Sequence, residues 1–500
     1  LFFLTFINYQ ILYLLKKSSL IKIKNFYLIS FMSKKIIILI IVILLVIGYF
    51  FLGSLIGSTK LSFGFLSVEQ RIMIKKIIFP FRFISQQEKI ITGLNKDIAQ
   101  QEVNLSKLPL FEIELNFKES LQEIKISKLE DVKLSNDLMM SNYVFDNGFF
   151  TGMLGKIPGG YLDFHNNNLI VLSSRGVLAY NENIDSEKNF KQIKNNINDF
   201  VGLEQFKKIQ SLSVRDLFVH HNKIFFSYAE EFKENCFNTS VAYGDMNYEN
   251  INFKKLFSSK ECVYLKPSNY SYSYQSGGRI IDFDDNHILL SVGDYRARPL
   301  AQDSKTINGK IIKININSSE YEIISKGHRN PQGLYYDKEN EIILETEHGP
   351  LGGDEVNLID VKQIKKNKIL NFGWPIVSAG EHYCKVNGMD KNECDAIYKI
   401  SPLYKSHKDH GFIEPLNSFV PSIGISEVVK IKDNRYVLGA MGGKRIGDKS
   451  LYFFELDNDN KFTNLEQIKV FKRIRDLNFN NGKLYMFFER PSSIGVISFN

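Results

Sequence analysis

Two arginines near the end of the chain have the spacing of an anion-binding site. Arg473 and Arg475 are two positions apart, so both guanidinium groups face the same side of an extended strand. Neighbouring guanidiniums repel each other unless an anion, or a carboxylate such as Asp476, compensates their charge. We interpret the pair as ligand-binding. The alternative is a set of Arg–Asp ion pairs that join structural modules, because Arg215 and Asp216 repeat the pattern.

A second group of residues lies in the segment 327–375, where turns rich in Gly, Pro, Asn and Asp flank two predicted strands. Such turns occur where the backbone takes special angles or approaches another group closely. The loop 347–355 places three carboxylates among glycines and a proline. Carboxylate and exposed carbonyl oxygens are the ligands that calcium prefers. The loop therefore predicts a calcium site, and a tightly turned, solvated loop is the alternative.

The elements that would position these residues form a repeat of an apolar strand, a tight turn of Asn, Asp or Gly, and a second apolar strand. The copies span 159–172, 215–228, 278–292, 332–346, 427–440 and 475–488. Six modules predict an all-β fold, a six-bladed β-propeller over residues 131–500, with the repeated hairpin as the inner strands of each blade. We expect Ile494–Phe499 to pair with an early strand and close the ring. A two-sheet sandwich is the alternative, but it does not explain six similar modules.

Three stretches of the chain resemble the glucose/sorbosone dehydrogenase family. They are Gly327–Leu334 (GHRNPQGL), Glu347–Glu355 (EHGPLGGDE) and Asn371–Pro375 (NFGWP). Members of that family are six-bladed β-propellers that bind pyrroloquinoline quinone (PQQ) and oxidise sugars. The resemblance covers about residues 150–500 and implies the same fold, with a small sugar as the substrate and a lactone as its product.

The resemblance also implies which residues hold the cofactors. The carbonyl groups of Gly349 and Pro350 would hold a calcium ion that bridges to PQQ. Asp354, Glu355 and the carbonyl group of Phe372 would hold a structural calcium ion. The residues expected to contact PQQ are Arg329, Asn330, Lys444, Arg473 and Arg475, which would meet at one mouth of the central channel. His328 and His348 belong to the same pattern and are interpreted as structural.

The chain departs from the family pattern at the catalytic base. The family has a histidine four residues before the arginine that opens its third inner strand. Here that arginine is Arg279, and Gln275 occupies the position of the histidine. Glutamine cannot act as a base, and Tyr274, with an ordinary pKa of about 10, is a poor one.

Two functions therefore stay open. The first is a PQQ-dependent aldose dehydrogenase that passes electrons to a quinone or a cytochrome. The second is a non-catalytic propeller of the same family that binds a sugar, a glycan or a protein, as the missing histidine suggests.

An uncharged apolar run from Ile36 to Phe51, which can extend to Ile56, follows Lys34 and Lys35. About 20 apolar residues can span a bilayer, and the preceding lysines predict that the N-terminal side is cytoplasmic. We expect a single-pass anchor over 34–57 in the inner membrane and a propeller in the periplasm, with a cleaved signal peptide as the alternative. Residues 58–130 are interpreted as a stalk, and residues 1–31 as untranslated upstream sequence or a cytoplasmic leader.

Cysteine usage and charge agree with that location. Four cysteines flank two local segments, so outside the cytoplasm they predict the disulfides Cys236–Cys262 and Cys384–Cys394. Zinc is the less favoured alternative, because no C-x-x-C pair occurs.

The net charge is +8, but residues 1–35 hold six lysines and no acid, which leaves +2 for the rest. This balance gives no reason to expect a nucleic-acid partner.

Overall fold

The computed structural model describes residues 123–499, apart from 136, 146–158, 187, 210–212, 265–273, 385–387, 443–448 and 490. The predicted leader, the predicted anchor and most of the predicted stalk lie outside the described residues. Within the described part of the chain, none of the helices has the length and apolar character that a membrane crossing requires.

The described residues form six sheets, which are the blades of a β-propeller. In chain order the first strands are β1 (Glu123–Ile124), β2 (Ile126–Lys133), β3 (Met139–Phe145), β4 (Gly160–His165), β5 (Asn168–Ser173), β6 (Leu178–Asn181), β7 (Phe190–Asn195), β8 (Val214–His220), β9 (Lys223–Lys233), β10 (Cys236–Asp245), β11 (Asn250–Ile251), β12 (Lys254–Phe257), β13 (Val263–Tyr264), β14 (Gly277–Asp284) and β15 (His287–Val292). The remaining strands are β16 (Lys310–Asn315), β17 (Tyr321–Lys326), β18 (Pro331–Asp337), β19 (Ile342–Glu347), β20 (Asp354–Asp360), β21 (Leu370–Asn371), β22 (Asn417–Phe419), β23 (Ile425–Lys432), β24 (Arg435–Ala440), β25 (Ser450–Leu456), β26 (Phe462–Lys469), β27 (Arg473–Asn480), β28 (Lys483–Glu489) and β29 (Ser493–Ser498). Within the described ranges, three α-helices connect them, α1 (Leu203–Ile209), α2 (Val361–Ile364) and α3 (Lys391–Ile400).

Each predicted repeat is the innermost hairpin of one blade. Blades one to six begin with the inner strands β4, β8, β14, β18, β23 and β27, and each is paired with the next strand of its own sheet. The six inner strands contact one another in that order around the ring, and β27 contacts β4. The prediction of a six-bladed propeller is therefore confirmed, and the sandwich alternative is excluded.

The ring is closed by pairing between the two ends of the propeller. Strand β29 pairs with β3, for example at Ile494 and Tyr143, so the last blade contains strands from both ends. Strands β1 and β2 start within the segment that we assigned to the stalk. Ile124 and Ile126 are buried in the same apolar cluster as Tyr143, which explains why sheet structure begins there. Burying side chains of this size contributes ~1.5–3 kcal/mol each.

Both predicted disulfides are present. Cys236 and Cys262 are bonded with their Cα atoms 5.3 Å apart, and Cys384 and Cys394 are bonded with their Cα atoms 5.5 Å apart. The first bond joins the start of β10 to the segment before β13. The second lies within the long connection between β20 and β22, residues 361–416, which is the insertion of blade four, and it joins Cys384 to α3. All four sulfur atoms are thereby occupied, so the zinc alternative does not apply.

Carboxylates on the inner strands clamp each blade to a neighbour. Asp216 accepts a hydrogen bond from the backbone N–H of Ile280 at 2.7 Å, and Asp476 accepts one from Leu162 at 2.7 Å. Glu427 does the same for Leu334 at 3.0 Å. These clamps join similar positions of adjacent inner strands. The starts of the inner strands therefore lie together at one end of the ring, the entry face, and the hairpin turns lie at the other end, the turn face.

The same three carboxylates meet at Arg279. Its Nη1 lies 2.6 Å from Asp216 Oδ1 and 2.7 Å from Asp476 Oδ1, and its Nε pairs with Glu427. All four side chains are buried. Burial raises the pKa of Asp216 and Glu427, and the charge of Arg279 opposes the rise. Ion pairs that join blades thus exist, as the structural alternative proposed, but their centre is Arg279.

We expect Arg279→Met to destabilise the propeller by about 3–5 kcal/mol, because it leaves three buried carboxylates without a cation. The measurement is the free energy of unfolding in denaturant. Lys313→Met is the matched control in the same blade, since the partner of Lys313, Glu322, is more than half exposed. The control should cost about 1 kcal/mol or less. Equal losses in the two variants would contradict the assignment of Arg279 as the central cation.

Candidate active site

The loop before β18 brings Arg329 against the acidic loop, residues 347–355, which follows β19. Arg329 Nη1 donates to the carbonyl oxygens of His348 and Gly349, both at 2.6 Å. The backbone N–H of Arg329 donates to Glu347 Oε2 at 2.5 Å. Its guanidinium lies 5.4 Å from the ring centre of Trp374, within cation–π distance. Arg329 is therefore held in one position at the entry face.

Gln275 occupies a position beside Arg329. With its amide oriented to satisfy both neighbours, it donates to Asp294 Oδ1 at 2.7 Å and accepts from Arg329 Nη2 at 2.8 Å. The other oxygen of Asp294 accepts from Trp374 Nε1 at 2.8 Å. Burial raises the pKa of Asp294 to about 6, and Arg329 and Trp374 limit the rise. At the position where the sequence analysis expected a catalytic base, this chain thus has the neutral amide of Gln275, which is hydrogen-bonded to the fully buried Asp294.

The two C-terminal arginines share a carboxylate that the sequence analysis did not identify. Arg475 Nε lies 2.6 Å from Glu489 Oε1, and Arg473 Nε lies 2.9 Å from Glu489 Oε2. Asp476, which the sequence offered as one group that could compensate their charge, instead points to Arg279. The pairing of β27 with β28 is irregular between Ile474 and Asp476, where Arg475 is the extra residue, and Arg475 and Asp476 reach different partners there.

A chain of hydrogen bonds connects this pair to the loop of blade four. Arg475 Nη1 donates to Gln332 Oε1 at 3.4 Å, and Gln332 Nε2 donates to Asn330 Oδ1 at 3.0 Å. Asn330 Oδ1 also accepts from the backbone N–H of Gly277 at 3.4 Å. Amide and guanidinium groups of blades three, four and six are thereby joined at the entry face.

A small cavity lies between the acidic loop and the insertion of blade four, with a volume of about 10 Å³. Space of that size holds about one water molecule or ion. The lining residues are Arg329, Glu347, Gly349, Glu355, Phe372, Trp374, Val377 and Ser378. Glu347 and Glu355 are directly paired across β19 and β20, so two carboxylates meet at this point.

Further buried polar groups surround these carboxylates. Glu345, two pairs further along the same strands, faces Asn357, and His328 Nδ1 lies 3.8 Å from both Glu345 and Glu347. Among the described residues, Glu345 Oε1, Asn357 Oδ1 and His328 Nδ1 have no hydrogen-bond partner. Burial and the charge of Glu347 raise the pKa of Glu345 and Glu355. Buried acids with unpartnered oxygens fit a divalent cation that binds through oxygen atoms.

Two glycines make the acidic loop possible. A Cβ atom at Gly349 would lie 1.8 Å from the carbonyl oxygen of Gly353. Gly353 has a φ of +84°, and a Cβ atom there would lie 2.3 Å from the backbone nitrogen of Gly380. Any larger residue would push the loop away from the insertion that closes the cavity.

The structure brings most of the predicted residues to one face. Glu355 and Phe372 line the cavity with Gly349, whose carbonyl group is already engaged by Arg329. Pro350 lies beside them, and its carbonyl oxygen accepts from Ser422 at 3.4 Å. Asp354 does not line the cavity, since its Oδ1 accepts from the backbone N–H of Gly349 at 3.2 Å and its Oδ2 accepts from the backbone of Ile423, Gly424 and Ile425. Lys444 lies outside the described residues.

Sequence reasoning missed several residues of the site. Gln332 stands inside the motif at 327–334, and Glu345 stands two residues before Glu347 on one strand, so both signals were visible. Glu489 follows the apolar run Leu484–Phe488, where a charged residue is unexpected. Asp294 had no local signal, because its importance comes from contacts with residues far along the chain.

The family model described as glucose/sorbosone dehydrogenase matches residues 200–494, which is more than half of the chain. The chain therefore belongs to this family of β-propeller proteins. Among its relatives, the aldose sugar dehydrogenase of Escherichia coli is 27% identical over 179 residues, which cover 33% of this chain and 45% of the relative. The quinoprotein glucose dehydrogenase B of Acinetobacter calcoaceticus is 30% identical over 138 residues, which cover 22% and 27%.

A third relative is an uncharacterized protein of Synechocystis sp., 28% identical over 226 residues, which cover 40% of this chain and 50% of the relative. The chain thus spans about half the length, or less, of the curated relatives it matches. Solved structures share the fold. A glucose dehydrogenase aligns with a TM-score of 0.53 at 19% identity, covering 75% of this chain and 99% of that one. The apo-form of the soluble aldose sugar dehydrogenase from Escherichia coli aligns with a TM-score of 0.52 at 20% identity, with the same coverage.

Trp374 is the single tryptophan of the chain and donates to Asp294, so its fluorescence should report the titration of that carboxyl group. We expect the emission to change with a midpoint near pH 6. The folded-state pKa of about 6 lies above the ordinary 3.8, so protonation favours the folded state. The unfolding free energy due to Asp294 should therefore fall as pH rises from about 4 to 6.

The variant Asp294→Asn should remove the fluorescence transition. Asp303→Asn is the control, because Asp303 lies in the same connection between β15 and β16 but is exposed. A transition that persists unchanged in Asp294→Asn would show that another group titrates near Trp374.

Proposed function

We propose that the protein is a PQQ-dependent aldose sugar dehydrogenase that oxidises a sugar to its lactone. The observation that carries the proposal is the meeting of Arg329, Asn330, Arg473 and Arg475 at the entry face, beside a cavity lined by buried carboxylates. Planar guanidinium groups are suited to bidentate binding of carboxylates, and PQQ carries three of them. The named activities of the aldose and glucose dehydrogenase relatives support the same choice.

Each group has a distinct task in this proposal. Arg473 and Arg475 bind the carboxylates of PQQ, and Glu489 holds both guanidiniums in place. Gln332 keeps Asn330 directed at the same face. Glu347 and Glu355, with backbone carbonyl groups of the loop, hold calcium. PQQ, when bound, supplies the electron acceptor for the sugar.

The location is part of the proposal. The apolar run over 34–57 would anchor the chain in the inner membrane, and the propeller would face the periplasm. Two disulfides support an oxidising compartment, because such bonds are rare in the cytoplasm. The proposed electron acceptor is then a quinone of the membrane or a periplasmic cytochrome.

The decisive experiment adds PQQ and calcium to the purified protein and measures dye reduction with a panel of aldoses. We expect turnover that requires both additions. The double variant Arg473→Ala/Arg475→Ala should lose PQQ binding, measured by quenching of Trp374 fluorescence. The control is Arg435→Ala, since Arg435 forms an exposed ion pair with Glu466. Absence of both PQQ binding and turnover in the wild-type protein would reject the proposal.

A second function, a non-catalytic member of the same family that binds a carbohydrate or a protein, is favoured by the bridge at Gln275. A group that donates to Asp294 and accepts from Arg329 is suited to hold the site together and cannot take up a proton. If the wild-type protein binds PQQ without turnover, Gln275→His should create activity, because imidazole can accept the proton of a sugar hydroxyl. Gln275→Asn is the control that adds no base. Turnover by the wild-type protein would remove this second function.

Calcium should stabilise the propeller. A ligand at 100 times its Kd that binds only the folded state adds about 2.7 kcal/mol of stability, which raises Tm by several degrees. Glu355→Gln should abolish most of this rise. Glu414→Gln is the control, because Glu355 and Glu414 lie 3.7 and 3.5 Å from the two ring nitrogens of His407, but Glu414 is half exposed. The same calcium-dependent rise in Glu355→Gln and the wild type would place the ion elsewhere.

A further inference from the structure

We propose that His220, His221 and Asp285 form a binding site for a first-row transition-metal dication on the turn face of the propeller. One ring nitrogen of each histidine and one carboxylate oxygen of Asp285 all lie within 4.8 Å of one another. The site lies at the ends of the inner strands opposite Arg329 and is independent of the proposed dehydrogenase function.

The backbone of the turn is what brings the two histidines together. Successive residues of a strand point to opposite faces, so neighbouring histidines would normally diverge. His220 ends β8, and His221 has a left-handed backbone with a φ of 51°. The chain reverses at that point, and the two rings lie 4.1 Å apart. The equivalent left-handed turn positions of three other blades carry shorter polar residues, namely Asn166, Asp433 and Asn481.

The third ligand comes from the next blade. His221 Nε2 lies 3.6 Å from Asp285 Oδ1. This distance is too long for a good hydrogen bond. It does match the separation of two ligands of one ion, since two atoms about 2.1 Å from a tetrahedral metal lie roughly 3–4 Å apart. A metal at this point would join the inner hairpins of blades two and three.

His220 has a nitrogen without a partner. Its Nε2 is buried and makes no hydrogen bond to any described residue. One face of the ring lies against Phe218, with ring centres 6.0 Å apart, which limits its movement. Burial and the neighbouring His221 lower the pKa of His220, so the ring is neutral and can ligate at neutral pH. An unpaired buried nitrogen costs free energy that a metal–nitrogen bond would recover.

The donor set selects the kind of metal. Two imidazoles and one carboxylate favour zinc, nickel or copper over calcium and magnesium, which prefer oxygen ligands only. Three protein ligands leave a fourth position of a tetrahedral ion to water. The turn-face site and the oxygen-lined cavity at the entry face should therefore bind different ions without competition.

The test is a calorimetric titration of zinc chloride into the full chain, prepared without a histidine tag and saturated with calcium. We expect one zinc ion per chain. The variants His221→Ala, Asp285→Asn and His220→Ala should each weaken binding at least about tenfold, because the loss of groups outside the ligand set already costs ~10–100-fold. Cobalt should give the visible absorption of a tetrahedral site in the wild type and lose it in His221→Ala.

The matched control is His287→Ala, in the neighbouring turn. His287 Nδ1 lies 2.8 Å from Asp284 Oδ1, so it forms a similar His–Asp pair without a second histidine. It should bind zinc as the wild type does. The His221 and Asp285 side chains are 70% and 90% exposed, so their variants should fold normally, which Tm without metal will verify. Unchanged zinc affinity in His221→Ala, or an equal loss in His287→Ala, would overturn the proposal.

Discussion

The propeller depends on one buried cation. Arg279 opens the third inner strand, and its guanidinium compensates carboxylates from blades two, five and six. Each of those carboxylates also accepts a backbone N–H of a neighbouring blade. The same three carboxylates therefore compensate the charge of Arg279 and hold neighbouring blades together. Side chains that begin the inner strands, Arg329 and Arg475 among them, take their relative positions from this arrangement.

At the entry face, in contrast to Arg279, charged side chains are only partly compensated by partners of opposite charge. Arg473 and Arg475 share the carboxylate Glu489, so their charge is only partly compensated and cations remain in excess there. At the acidic loop, Glu345, Glu347 and Glu355 are buried together, and Arg329 contacts this group through the backbone of Gly349 and His348. One side of the face thus has spare positive charge, and the other holds buried carboxyl groups without a cation, where burial raises the pKa of Glu345 and Glu355. That division is what an anionic cofactor and a divalent cation would satisfy together.

Gln275 can help to hold the cofactor-binding residues in place, but it cannot act as the catalytic base. It lies in the position where a base is expected, yet its amide joins Asp294 to Arg329 and helps to hold Arg329 against Trp374. A residue that positions the arginine serves cofactor binding equally well in a catalyst and in a binding protein. The scaffold and the cationic residues therefore fit both proposed functions. The two functions differ in whether a group of the site accepts the proton of the sugar hydroxyl.

The six hairpins are local patterns of alternating apolar strands and Asn/Asp/Gly turns, so the order of residues is enough to locate them. The motif residues Arg329, Asn330, Gly349, Glu355 and Phe372 are likewise visible from their spacing along the chain. Which charges meet depends instead on how the chain folds. Asp476, next to Arg475 in the sequence, pairs with Arg279, while Glu489 pairs with Arg473 and Arg475. Asp294 and Gln332 gain importance only through partners from other loops and blades. Ion pairs form between residues close in space, and closure of the ring, which joins strands hundreds of residues apart, determines that proximity.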